Sequence, residues 1–189
     1  SRVCQANLRW DRCTPDSTDP QCPVLPPPQQ CLVKSIRPAN ATTLKIKNVV
    51  VRATFNSRVA SAISTHPEWF GIVRQGATVA DGQPCTGNEQ CFSDRCDQVT
   101  PVPAPKTCVG STIAGTVKVS GFTAAFTPER LCEAPNDSRH CFAETATYEV
   151  HLQPTDIQCG NKPLVCTGVT CASTFTTGTL VDVANPTVD

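Results

Sequence analysis

The chain has 189 residues, enough for one domain with a sizeable core, or for one domain plus a small module. Sixteen basic residues balance sixteen acidic ones. The basic residues form no cluster along the chain, so nucleic acid is not expected as a partner, and near-zero net charge favours self-association. Apolar residues make up 39% and aromatics 5%, which points to a core of Val, Ile, Leu and Ala with a few Phe.

Residues 1–31 hold Cys4, Cys13, Cys22 and Cys31 among many prolines. Pro15, Pro20, Pro23 and Pro26-Pro27-Pro28 exclude a long helix. Asp16-Ser17-Thr18-Asp19-Pro20 is turn chemistry. The expectation is a stapled, irregular arm, with Trp10 covering a disulfide.

Residues 32–55 carry the strongest strand signal. Leu44 and Ile46 alternate with Lys45 and Lys47, and beyond Asn48 the phase moves to Val49, Val51, Ala53 and Phe55. Such a slip predicts a β-bulge or a break between two strands, with both lysines on the solvent side. Residues 57–65 are the one helix candidate, capped by Asn56 or Ser57 and ended by His66-Pro67. Glu68 to Val73 reads as a strand. Gly76 and Gly82 then lead into a cysteine-rich insertion, 81–108.

Beyond Cys108, Ile113, Val117 and Val119 alternate with polar residues, predicting a strand over 112–122. Residues 128–141 read as a loop that Cys132 and Cys141 could close on themselves. Tyr148, Val150 and Leu152 predict a half-buried strand over 147–153. Cys159, Cys166 and Cys171 sit in a loop. Thr174 to Ala184 reads as a last strand, followed by a polar tail.

These six to eight short strands predict an all-β fold: an antiparallel β-sandwich of Ig-like architecture. In this reading 1–31 is the arm, 32–189 the sandwich, and 81–108 an insertion. The expected core holds Ile46, Val49, Val51, Val117, Val119, Val150 and Val181.

Within the insertion, Cys85, Cys91, Cys96 and Cys108 stand among Gly, Asn, Asp, Ser and Pro, with no apolar run to form a core. Only cross-links or a metal would order such a segment. The spacing C-x5-C-x4-C-x11-C, preceded by Gly82 and carrying Ser93-Asp94-Arg95-Cys96, resembles a short cysteine-rich module. It is similar to repeats of Dickkopf-like domains and of cysteine-rich surface proteins of myxobacteria-type Gram-negative bacteria. The resemblance covers about a seventh of the chain. It implies bridges Cys85–Cys96 and Cys91–Cys108.

Thirteen cysteines without any C-x-x-C point to disulfides in an oxidising compartment, not to metal, and C-x-x-C-H for haem is absent. No metal or cofactor is expected. An odd count cannot pair within one chain. Cys159, Cys166 and Cys171 are the expected source of the odd cysteine: two could pair locally and leave the third over. The four arm cysteines could pair among themselves, or one could reach this group. An intersubunit bridge is expected from the arm or from the 159–171 loop. The chain begins at Ser1 and has no Met, which suits a secreted protein whose signal peptide is gone. No apolar run approaches the ~18 residues of a membrane span. Asn40-Ala41-Thr42 and Asn136-Asp137-Ser138 are glycosylation sequons where the source glycosylates.

G-x-S-x-G, H-E-x-x-H, P-loop and G-x-G-x-x-G are all absent. His151 is expected to face solvent and His66 to end a helix. His140 beside Cys141 is the best catalytic candidate, and Glu144 with Glu149 the best carboxylate pair. Neither has a context that focuses it. No catalytic residue is assigned. Two functions fit: a secreted structural subunit of a filament, sheath or surface layer, with copies of itself as partners, or a secreted binding or inhibitor module acting on another extracellular protein.

Overall fold

The computed structural model describes residues 30–98, 104–136, 138–166 and 171–183. The chain divides into two units, Ser1–Gln30 and Cys31–Asp189. The expected arm lies outside the described residues up to position 29. Cys31 belongs to the second unit, not to the arm: it opens the first strand.

The described residues of the second unit form twelve short strands. They are β1 (Cys31–Arg37), β2 (Thr42–Thr43), β3 (Val51–Phe55), β4 (Phe70–Arg74), β5 (Cys96–Gln98) and β6 (Lys106–Cys108). After these come β7 (Gly115–Ser120), β8 (Thr123–Pro128), β9 (Thr147–Leu152), β10 (Gln158–Cys159), β11 (Lys162–Val165) and β12 (Ala172–Thr176). Six strands make one sheet in the order β10-β11-β1-β3-β8-β7. Four make a second, β2-β12-β9-β4, and β5 pairs with β6 alone. Most pairs are antiparallel, as expected, but β1 runs parallel to β11 and β2 parallel to β12.

Alternation decides which side of each strand is buried. In β3, Val51, Ala53 and Phe55 are buried, and in β9, Tyr148, Val150 and Leu152. One hydrophobic cluster draws on both large sheets. Phe70 of β4 and Phe126 of β8 stack with ring centroids 6.0 Å apart. Phe142 fills the space between Phe126, Tyr148 and Phe175. Each fully buried Phe removes enough apolar surface from water for ~1.5–3 kcal/mol.

Several expected boundaries differ. The strand foreseen over 43–55 is regular only at β2 and β3. Burial runs through Lys47, Val49, Val51, Ala53 and Phe55 without the expected slip. Lys47 therefore points inward, while Lys45 is exposed. Leu44, Ile46, Val119 and Val181 are only partly buried. The register irregularity lies instead in β1, between Val33 and Ser35.

The strand foreseen over 174–184 ends at Thr176. The chain then turns at Gly178, where a Cβ would stand 2.2 Å from the Lys45 carbonyl oxygen. Only glycine fits that approach. The expected helix is a single 3₁₀ turn, Ser61–Ser64, without a side-chain cap. Asn56, expected as its cap, instead accepts a hydrogen bond from the Leu32 amide at 2.8 Å.

Candidate functional site: the disulfide knot and its buried anchor

The insertion is ordered by covalent bonds. Cys85 is bonded to Cys96 and Cys91 to Cys108. All four are buried and make a small cluster of their own with Val79. The strands β5 and β6 place Cys96 opposite Cys108. Three of these sulfurs, from Cys85, Cys91 and Cys108, lie within 4.8 Å of one another. Each is spent in a bridge, so none is the thiolate that binds metal.

The knot grips the second sheet at three levels. Phe92 O accepts a hydrogen bond from Arg74 N at 2.9 Å. On the far side of the knot, Ile113 N donates to Ile72 O at 2.7 Å. The outer edge of β4 is thereby covered.

The third level is ionic. Asp94 sits at φ 56°, a left-handed conformation that Asp tolerates better than most residues. Its carboxylate points inward. Arg74 Nη1 donates to Oδ1 at 2.5 Å, the Tyr148 hydroxyl to Oδ2 at 3.0 Å, and Arg130 Nη1 reaches Oδ2 at 3.5 Å. Tyr148 OH in turn accepts from Ala143 N at 2.9 Å. Burial, followed by the charge of Asp94, pushes the Tyr148 hydroxyl well above the ordinary tyrosine range.

Beside this anchor lies a cleft of about 360 Å³, lined among others by Asn88, Ser93, Asp97, Glu129 and Arg130. Ser93 Oγ is buried without a hydrogen-bond partner.

A second charged group stands inside the fold. Lys47 Nζ lies 3.3 Å from Glu144 and 3.8 Å from Glu133. These two carboxylates are why a lysine can occupy an inward position. Glu133 belongs to the loop closed by the Cys132–Cys141 bond.

The remaining cysteines correct the sequence reading. Cys31 is bonded to Cys159, and Cys166 to Cys171. None of Cys159, Cys166 and Cys171 is odd, because Cys31 crosses from the first strand to take Cys159. No cysteine among the described residues is free.

The histidines stand apart. His66 stacks on Trp69 at 4.4 Å and faces Glu68 at 2.8 Å. His140 Nδ1 lies 3.1 Å from the Glu129 carbonyl oxygen. His151 is exposed and pairs with Glu149 at 3.0 Å. Glu144 and Glu149, weighed together in sequence, serve different partners, Lys47 and His151. Sequence reasoning missed the Arg74–Asp94–Tyr148 anchor. Its members lie on separate elements, and Asp94 drew notice only as part of a cysteine motif.

No protein-family model matches the chain, and no curated protein does. Among solved structures, the N-terminal part of the bacterial S-layer protein SbsC is similar at 16% identity and a TM-score of 0.42, over 79% of this chain and 24% of that one. Domains 1–6 of the surface layer protein SbsC give the same identity and TM-score over 81% of this chain and 14% of that one. The chain thus spans less than a quarter of these proteins. A likeness of this size identifies neither a shared fold nor a shared role.

Among the described residues, no helix is long and apolar enough to cross a membrane.

Proposed function

We propose that this chain is a secreted, disulfide-stabilised structural subunit of an extracellular assembly such as a filament, sheath or surface layer, with its two large sheets packed as an Ig-like β-sandwich. It has no catalytic role in this reading. The observation that carries it is the cross-linking. Among the described residues, five bridges tie the first strand to the edge strand β10 of its sheet, close two loops and hold the insertion. Disulfides persist outside the reducing cytosol, and each restrains the unfolded chain. A building block exposed to an unbuffered environment gains from both.

Size-exclusion chromatography and negative-stain microscopy of protein made in an oxidising host test the proposal. Polymers of regular spacing are the expected result. A monomer that assembles under no condition, yet captures a second extracellular protein, would instead favour a binding or inhibitor module.

A further inference from the structure

The register of the six-stranded sheet lines up residues that the sequence scatters. Arg37 of β1 stands opposite Arg52 of β3, Arg52 opposite Ala125 of β8, and Ala125 opposite Lys118 of β7. Two residues further along each strand, on the same face, Ser35, Thr54, Thr123 and Ser120 form a second row. The intervening residues, Ile36, Ala53, Ala124 and the half-buried Val119, turn to the core side. The outer face therefore carries a row of three cations beside a row of four hydroxyls. Adjacent strands are ~4.8 Å apart, so each row spans roughly 14 Å.

Among the described residues, no ion pair balances these charges. The four strands contain no Asp or Glu. The ion pairs among the described residues use Lys47, His66, Arg74, Arg95, Arg130 and His151, none of them in the row. Like charges directly opposite each other, as Arg37 and Arg52 are, destabilise a sheet. A bound anion would relieve that repulsion.

We propose that this face binds an acidic polysaccharide, its carboxylates on the Arg37–Arg52–Lys118 row and its hydroxyls on the Ser/Thr row. Charge complementarity selects a polyanion. The absence of any aromatic side chain from both rows removes the stacking platform that single-stranded nucleic acid uses. Neither row carries a large apolar side chain to serve as the wedge that a membrane-surface element inserts; the exposed Phe122 lies in the turn between β7 and β8, outside both rows. Ser and Thr hydroxyls both donate and accept hydrogen bonds, as sugar hydroxyls do. The inference does not rest on assembly: a monomer would carry the same face.

The test measures binding of the full chain to polygalacturonate, neutral dextran, single-stranded DNA and anionic phosphatidylglycerol vesicles at low and moderate salt. Polygalacturonate should bind, and binding should weaken with salt. The triple variant Arg37→Thr, Arg52→Thr, Lys118→Thr should lose ~tenfold or more in affinity. A control of equal charge, Lys45→Thr, Arg58→Ser, Lys106→Thr, should keep wild-type binding. Far-UV circular dichroism checks the fold. Should the triple variant misfold, Lys118→Thr alone, on the edge strand, should still lose ~threefold. Failure of the wild type to bind polygalacturonate, equal loss in both triple variants, or tighter binding of DNA or vesicles would overturn the proposal.

Discussion

Asp94 of the knot and Arg74 of β4 meet at 2.5 Å, with the Asp94 side chain 6% exposed and that of Arg74 19%. This pair and the Tyr148 hydroxyl bind an insertion with almost no apolar surface to the main fold. Removing one partner of a buried pair leaves the other charge uncompensated, which costs ~3–5 kcal/mol. Asp94→Ala should therefore destabilise the protein by about that amount in urea unfolding. Hydrogen exchange should show amides of 85–98 and 104–108 opening first. An unchanged midpoint and unchanged exchange would show that the two bridges hold the knot unaided.

Tyr148 is the chain's single tyrosine, so phenolate absorbance reports on it alone. Burial holds its folded-state value above the ordinary one of 10.0. The sign follows: below the unfolded value both states keep the proton, and above it the unfolded state ionises while the folded state does not. Stability falls as pH rises beyond that point. Native protein should show no phenolate in the range where the urea-unfolded chain already does. Tyr148→Phe should lose stability at neutral pH, because Ala143 N and Asp94 lose a partner, yet should decline less steeply above the tyrosine range.

Reduction should destabilise the protein far more than high salt does, since bridges contribute ~2–4 kcal/mol each and exposed ion pairs ~0–1. The bridges also differ. Cys31–Cys159 spans 128 residues and Cys166–Cys171 spans 5. Loop-closure entropy gives ~5 kcal/mol for the first and ~2 for the second. The pair Cys31→Ser, Cys159→Ser should accordingly lower the melting temperature more than Cys166→Ser, Cys171→Ser. The reverse order would remove chain entropy as the explanation.

Lys47 shows where local sequence stops being informative. The strands at 51–55 and 147–152 were legible because every second residue is apolar, and a period of two is a local signal. Lys47 continues that inward phase, but its two carboxylate partners lie 86 and 97 residues away. A local reading could only place it outside. The same holds for the row Arg37, Arg52 and Lys118, which looks unclustered along the chain and becomes a cluster through register. Strands β10 and β11 fell within an expected loop because each is short, and Pro163 conceals the second. Glu133 and Glu144 are 74% and 55% exposed, so replacing Lys47 leaves no buried charge unpaired, whereas neutralising both carboxylates would leave the buried ammonium without a partner. Lys47→Met should thus stay within ~1 kcal/mol of wild type, whereas Glu133→Gln with Glu144→Gln should cost ~1–3. Denaturant unfolding of both variants decides it.

The last prediction follows from counting. Ten of the thirteen cysteines are joined in five bridges. The three left over are Cys4, Cys13 and Cys22, which lie outside the described residues. Three cannot all pair with one another, so at least one is free or bonds to a cysteine beyond these 189 residues. A free, accessible thiol outside the cell is oxidised over time. In a structural subunit the productive outcome is a bond to a neighbouring copy, which would lock the assembly. Denaturing electrophoresis without reductant should then show a dimer or a ladder that collapses to monomer on reduction. The variant Cys4→Ser, Cys13→Ser, Cys22→Ser should run as monomer in both conditions while mass spectrometry still finds the five bridges. Monomer alone in the unreduced wild type, with one alkylatable thiol per chain, would rule out the intersubunit bond.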